Sequence, residues 1–505
     1  MKPKLRMHAL QADLFVAAWA LGSLVALGQA PPRPVDAAVH FDQKLQDWDG
    51  FGVNYVEVTS TRDYKQTPQE YGGFSTLSEK KRQEILELIF GPDGLKPGTV
   101  KMFLDPFHEG MTEAEKGKFD HETTTKWMRY FVREGLKMTR ARGGDLQIMT
   151  CLYGPPAWAT KQKFMRGRDL DPREKEDLAQ YMIEWVKYLR DHEKFPVKYI
   201  SLNNEGDGFN RWPVDGSAGG DITHDYNLWW PPSQIVDFLR FMRPMMDRQG
   251  LQDVGLTPGE TSKWENFGDW YAYSIYSDPL AMKNIGLITS HDFAGPLGPS
   301  STSASLGVEL LHLTRPDLHV WTTSTPMEYG GLTHTFVERV RLNIYNVKVN
   351  SLIPWSIVQS RDWVGEPGGY MHVGTGIWVD RKGGYKVDHD YNVYKQLTRA
   401  GQPGMAVAKV SSSDPSIGLI AFARNGTQNP DALVVNNLAE ARGNVMMDTR
   451  EVAIRITGTQ AQTFDVYATG FYQLDYEPMG TVTLRDGVLK FAVPNRSVVT
   501  FFARQ

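Results

Sequence analysis

The sequence predicts an α/β protein, a (β/α)8 TIM barrel with an appended C-terminal all-β sandwich. Three observations carry this. From about residue 50 to 400, short runs that are apolar at nearly every position alternate with helical patterns. Those helical patterns have start and stop signals. After about Gly401 the helical period gives way to short strands separated by Gly, Asn and Asp turns. Strands covered on both faces, as in a barrel, are apolar at consecutive positions, and short strands with frequent turns suit a sandwich.

The barrel strands are expected at Phe51–Val58, Thr99–Leu104, Leu146–Leu152, Val197–Asn203, Asp253–Thr257, Ile285–Ser290, Leu318–Thr323 and Ser351–Val358. Between them, Ser78 precedes a helix over Glu79–Phe90 that stops at Gly91-Pro92. Asp171-Pro172 opens another, in which Leu178, Tyr181, Met182, Trp185, Val186 and Leu189 follow helical spacing. Pro232 to Arg248 and Leu332 to Val349 repeat the pattern. The sandwich strands are expected at Met405–Val410, Ile417–Phe422, Ala432–Asn436, Val452–Ile456, Thr463–Tyr467, Thr481–Leu484, Val488–Phe491 and Val498–Ala503. The expected organisation is a signal peptide over 1–30, a linker and sandwich strand over 31–48, the barrel over 49–400 and the sandwich over 401–505.

At 505 residues the chain exceeds one ordinary core, and 41% hydrophobic with 23% charged residues is the profile of a folded, soluble protein. A formal net charge of −4 speaks against nucleic acid or an anionic membrane as the main partner. The single cysteine, Cys151, excludes an intramolecular disulfide and lies in an apolar run. Lys2, Lys4 and Arg6 precede a mostly apolar stretch from Leu14 to Leu27, and Gly28-Gln29-Ala30 offers small residues to a signal peptidase. Export by cleavage is the reading, making the mature protein secreted (extracellular or periplasmic), with no membrane span after signal removal. An uncleaved anchor is the alternative, although the run is shorter than the roughly 20 apolar residues a span needs.

Barrel enzymes place their chemistry at the C-terminal ends of the strands, so carboxylates at those ends are the candidates for acid, base or nucleophile. The fourth strand ends in Asn203-Asn204-Glu205, and the seventh is followed by Met327-Glu328-Tyr329-Gly330. Glutamates after strands four and seven face each other across a barrel mouth. In a retaining glycosidase they stand roughly 5–5.5 Å apart, one protonated as acid and the other ionised as nucleophile. Burial among apolar walls is expected to raise the pKa of Glu205 toward the range a general acid needs.

These residues resemble the clan A glycoside hydrolases, and within them glycoside hydrolase family 30. The similarity rests on the order of short motifs: Gly50-Phe51-Gly52, Gly154-Pro155-Pro156-Ala157-Trp158, Asn204-Glu205, Thr289-Ser290-His291-Asp292-Phe293, Pro354-Trp355-Ser356 and Ser497-Val498-Val499-Thr500-Phe501. The resemblance implies that Glu205 is the general acid/base, Glu328 the nucleophile, and Asn204 a partner of the substrate 2-hydroxyl. It further implies a β-linked oligo- or polysaccharide or glycoconjugate as substrate.

Two positions depart from the family pattern. The nucleophile usually follows the seventh strand almost directly, and Ser324-Thr325-Pro326-Met327 intervene before Glu328. If Ser324 takes that position, the protein is crippled or a non-catalytic carbohydrate binder on the same scaffold; an inverting hydrolase or a glycosidase of another clan A family is a further alternative. An arginine common in the second strand is absent, and Lys101 either replaces it or is a strand-end surface charge. Trp158, His291, Trp355 and Asp105 are expected to bind substrate. Trp212, Trp229, Trp230, Trp264 and Trp363 also lie in or near the mouth loops, where two or three tryptophans are expected to stack on sugars. Glu57, Glu260 and Asp292 follow strands and are read as structural hydrogen-bonders. Asp388-His389-Asp390 is read as a helix start. No phosphate loop or dinucleotide fingerprint occurs. The expectation is a monomer with no cofactor and no metal.

Overall fold

The computed structural model describes residues 35–57, 71–217, 226–295, 298–327, 333–360, 374–438, 449–470 and 474–504. Eight parallel strands, Gly50–Asn54, Thr99–Leu104, Gln147–Leu152, Val197–Ser201, Gly255–Thr257, Ile288–His291, Val320–Ser324 and Ser351–Leu352, stand side by side in chain order. The eighth pairs back onto the first at Gly50↔Ser351. Between the fifth and sixth, single bridges at Leu256↔Ile285 and Thr261↔Ser290 complete the ring. The strands are buried at nearly every residue, which is why their sequences are apolar without alternation.

The helical signals act as capping physics requires. The Ser78 hydroxyl accepts from the Lys81 amide at the head of Glu79–Phe90. Asp171 caps the turn Pro172–Glu174 that leads into Lys175–Asp191, whose Leu178, Tyr181, Met182, Trp185, Val186 and Leu189 are all buried. Pro232 opens Pro232–Arg248. The helix Thr333–Leu342 widens into a π turn over Asn343–Val347 before reaching Lys348 in a left-handed conformation.

Ser351–Val358, expected as one strand, is two. The barrel strand stops at Leu352, and Val358–Ser360 joins Ile377–Val379 and Tyr385–Val387 in a separate three-stranded sheet. Pro354 lies in the break, where it has no N–H to offer a neighbouring strand.

The second layer is one nine-stranded sheet folded over on itself. Leu474–Thr483, Thr463–Gly470, Ser497–Ala503, Ala432–Asn437 and Ile417–Ala423 follow in order, then Ala406–Ser412, Val35–Asp47, Arg450–Thr457 and Val488–Val493. Ile417–Ala423 meets Ala406–Ser412 through only two residue pairs, Ala406↔Ala423 and Val407↔Phe422, so the sheet turns its corner there. Val35–Asp47 runs antiparallel to Ala406–Ser412 and parallel to Arg450–Thr457. Its Val39 and Phe41 join Leu419, Leu433, Phe464 and Phe501 in the core between the two faces.

Trp48 follows this strand and sits at the seam with the barrel. Its indole N–H donates to Gly401 O at 2.9 Å, and its ring packs on Phe51 and Phe422 at 4.8 and 5.1 Å. Inside the barrel, Met149, Tyr199, Leu287, Trp321 and Ile353 form an apolar plug. The Trp321 N–H donates to Asp49 at 2.7 Å, and the same carboxylate takes His319. Among the described residues no helix is long and apolar enough to cross a membrane.

The seam generates a stability prediction. Trp48→Ala should cost about 3–5 kcal/mol in urea unfolding, the range for truncating a buried aromatic. Trp48→Phe keeps part of the ring packing but leaves the buried Gly401 carbonyl unpaired, and should lose about 1–3 kcal/mol.

Candidate active site

The fourth strand ends in a turn that sets its glutamate. Asn203 is buried, its amide oxygen accepts from Gly206 N at 3.0 Å, and its amide nitrogen donates to Pro258 O at 3.3 Å. Gly259, at φ 102°, lies so close to the Asn203 amide that a Cβ there would collide with it. Pairing continues beyond both strand ends: Glu260 N donates to Asn203 O at 3.0 Å and Glu205 N to Glu260 O at 2.6 Å. Glu205 itself has φ 48°, a left-handed conformation that non-glycine residues rarely hold and that clusters at functional sites.

Behind Glu205 stands a chain of charges. His291 Nδ1 lies 3.0 Å from Glu205 Oε1, and its Nε2 lies 2.8 Å from Glu260 Oε2. Glu260 Oε2 also pairs with the Lys101 ammonium, and both side chains of that pair have 0% solvent exposure. Lys101 Nζ and His291 Nε2, 3.3 Å apart, share that carboxylate oxygen. On the solvent side the Arg211 guanidinium pairs with Glu205 Oε2.

The electrostatics follow from these contacts. Burial pushes Glu260 up, but Lys101 and His291 outweigh it and hold the carboxyl below its ordinary value. Burial and Lys101 push His291 down, while Glu205 and Glu260 pull it above the usual imidazole range. An imidazole facing a carboxylate at each nitrogen is best served doubly protonated, donating to both. The expected rise for Glu205 is overturned: burial does raise it, yet Arg211 and His291 prevail and keep it well below the carboxylate range. The apolar walls foreseen from the sequence are replaced by cations. As ionised groups, Lys101, His291 and Arg211 exceed the two carboxylates by one positive charge.

Other expected site residues distribute unevenly. Asn204 is buried and pairs by backbone with Glu260. Ser324 ends the seventh strand, buried beside His291 in register, and its hydroxyl has no hydrogen-bond partner among the described residues. Glu328 and Trp363 lie outside the described residues. Trp355 is half-buried, 5.9 Å from Phe103, whose ring carries Lys101 Nζ at 4.9 Å.

Asp105 and Trp158 are both buried and engaged with the protein itself. Asp105 spends its carboxylate within its own loop, accepting from Phe107 N and Thr124 Oγ1 at 2.8 Å each. Trp158 is 2% exposed with Lys116 Nζ 4.8 Å over its ring, so it offers no face to a sugar. Trp212, Trp230 and Trp264 are buried as well, and Trp229 is half-exposed. Glu57 accepts from Trp127 N and Met128 N, anchoring a helix N-terminus. Asp292 is held by Arg339 and Asn343, with burial pushing its pKa up to about 6. Asp388 caps the helix His389–Ala400.

Sequence reasoning did not give Arg211 a role, and it read Glu260 as merely structural. Arg211 ends a single 3-10 turn, Phe209–Arg211, too short to carry a periodicity. Glu260 follows a three-residue strand, and only its partners show its place at the centre of the network.

No family model matches the sequence, and no curated protein matches it either. Solved structures do match. A GH30 endoxylanase from Clostridium papyrosolvens aligns over 93% of this chain and 100% of its own, at 16% identity and a TM-score of 0.63. The endo-β1,6-glucanase BT3312 aligns over 93% and 94%, at 14% identity and 0.64. A conserved exported protein from Bacteroides fragilis aligns over 92% and 99%, at 13% identity and 0.68. The fold is that of the GH30 glycoside hydrolases, in divergent form.

Two predictions follow from the charge network and its surroundings. Lys101→Gln leaves the fully buried Glu260 carboxylate with His291 as its only cationic partner and should cost up to about 3–5 kcal/mol in denaturant unfolding. Adding Glu260→Gln should restore part of that loss, because the under-compensated charge is gone; strictly additive losses in the double variant would show that the pair is not coupled. His121 contacts His108 Nδ1 at 3.0 Å, and burial together with His108 pushes its pKa from 6.5 down to about 3. The unfolded chain takes up a proton that the native imidazole refuses. The stability from this site is therefore full above the unfolded value and is lost as pH falls toward the folded one. Over that window the slope of unfolding free energy against pH should be shallower in His121→Phe, by up to about 1.4 kcal/mol per pH unit.

Proposed function

We propose that the protein is a secreted, retaining glycoside hydrolase that cleaves a β-glycosidic bond in an oligo- or polysaccharide or glycoconjugate. Glu205 serves as acid/base and Glu328 as nucleophile. The observation that carries the reading is Glu205 at the end of the fourth barrel strand, in a left-handed conformation, with its carboxylate bound by His291 and the buried Glu260–Lys101 pair behind it. The barrel-and-sandwich fold shared with xylan- and β1,6-glucan-cleaving enzymes supports the substrate class. The leader-like residues 1–30, together with the likeness to an exported protein, support secretion.

In the first step Glu205 must carry a proton, which its pairing with Arg211 opposes. His291 Nδ1, 3.0 Å from Glu205 Oε1, is the nearest proton store. Release of Arg211 from Oε2 and transfer from the imidazolium give the acid form, which protonates the leaving oxygen while Glu328 attacks the anomeric carbon. Glu205, again ionised, then takes a proton from the water that hydrolyses the glycosyl ester. Asn204, buried beside the mouth, is assigned the substrate 2-hydroxyl, and Trp355 a sugar face.

A second reading, a non-catalytic carbohydrate-binding protein, draws on Ser324 at the strand end, where a hydroxyl stands in place of a carboxylate. Kinetics separate the two. Glu205→Ala should lose about a hundred- to ten-thousandfold on natural glycosides yet keep attack on an activated aryl glycoside, with azide restoring turnover and yielding a β-glycosyl azide. Glu328→Ala should abolish both activities. Near wild-type rates for Glu328→Ala would remove it as nucleophile. Oligosaccharide binding without turnover in the unaltered protein would establish the second reading.

A further inference from the structure

Away from the barrel mouth, a cavity of about 540 Å³ opens where the barrel meets the sandwich. Its walls come from the loop after the helix Glu79–Phe90, from the helix His389–Ala400 and from sandwich strands. Lys96, Lys395 and Arg399 face it. Arg399 is anchored by donating to Pro92 O at 2.8 Å, which fixes the guanidinium at the cavity edge. Lys395 lies 4.7 Å over the ring of Tyr476, which stacks on Tyr467 at 4.8 Å. Neither lysine ammonium has an ion-pair partner among the described residues.

The carboxylates in the lining do not balance these cations. Asp465 accepts from Arg504 at 2.7 Å, which leaves exposed Asp93 against three positive side chains. Two lining residues also hold backbone conformations unusual for their type: Lys96 has φ 54° and Tyr476 φ 60°. Strain of this kind persists where surrounding contacts impose it, and it concentrates at ligand sites.

We propose that this cavity binds an oxyanion (a carboxylate, sulfate or phosphate group) through Lys96, Lys395 and Arg399. Converging cations in a partly desolvated recess attract a negative group far more strongly than scattered surface lysines do. Lys96 faces Arg399 from the helix, Arg142 from the end of Lys126–Ala141 and Asp93 from its own loop, while Lys395 borders the cavity from the helix and Asp465 and Tyr476 from the sandwich. Burial, Arg399 and Arg142 push its pKa down to about 8. A bound anion offsets that repulsion and favours the charged ammonium, so binding is coupled to proton uptake. Affinity should therefore decline as pH rises past this value.

Isothermal titration of the full chain tests the site without recourse to turnover, and so independently of the glycosidase reading. The probes are sodium sulfate, inorganic phosphate and a glucuronate-bearing disaccharide, with a neutral disaccharide as control. The unaltered protein should bind at least one anionic probe and not the control. Lys395→Gln and Lys96→Asn (asparagine tolerates the left-handed backbone) should each weaken binding by about tenfold. Lys395→Arg should restore it. Affinity should fall between about pH 7 and about pH 9, and Lys96→Asn should reduce that dependence, the remainder coming from Lys395, which burial and Arg399 also push down. Tighter binding of the disaccharide than of the free anions assigns the group to an acidic sugar, and equal or weaker binding assigns it to a free anion. No binding of any anionic probe, or binding that both lysine variants leave intact, overturns the proposal.

Discussion

At the centre of the barrel a lysine ammonium meets a glutamate carboxylate with no solvent around either. Removing both charges from water is expensive, and a hydrophobic pair of the same volume would be no worse for stability. What Lys101 and Glu260 provide is position. Neither can move without stranding the other, so Glu260 presents its carboxylate to His291 at a fixed place, and His291 presents its second nitrogen to Glu205. Three strands, the second, fifth and sixth, are thereby tied to the residue that ends the fourth.

The barrel interior also holds an apolar plug. Tyr199 and Trp321 meet edge to face at 5.0 Å within the apolar plug, and Asp49 takes the only polar group of Trp321. The strand Val35–Asp47, ahead of the barrel in sequence, is stitched between two strands far behind it, with Trp48 locking the junction. Much of the aromatic surplus is structural in this sense: Trp48, Trp158, Trp185, Trp230, Trp264 and Trp321 are all fully buried.

Charge shows a similar contrast between average and location. The net charge of −4 describes the whole chain, whereas positive groups outnumber negative ones both in the Glu205 network and in the recess lined by Lys96, Lys395 and Arg399. Composition averages over the sequence, and electrostatic work is done over a few ångströms.

The sequence by itself determined the elements and their class, because these depend on local terms. Thr99–Leu104 is mostly apolar, with Lys101 its one charge, and forms a strand of those bounds, and Ser78 and Pro232 start helices through backbone chemistry carried within a few residues. It also placed Glu205 at a strand end, since a barrel puts such ends at one mouth. Tertiary structure alone decided the rest. Lys101 could not be told from a surface lysine, and Glu260 could not be told from a structural glutamate, until strands 159 residues apart were brought together. The protonation of Glu205 followed the same logic in reverse: burial was foreseeable from its apolar strand, but Arg211 and His291 reach it across loop and barrel. Side-chain charge acts through space, so its sign and strength at a site are fixed by neighbours that no local pattern names.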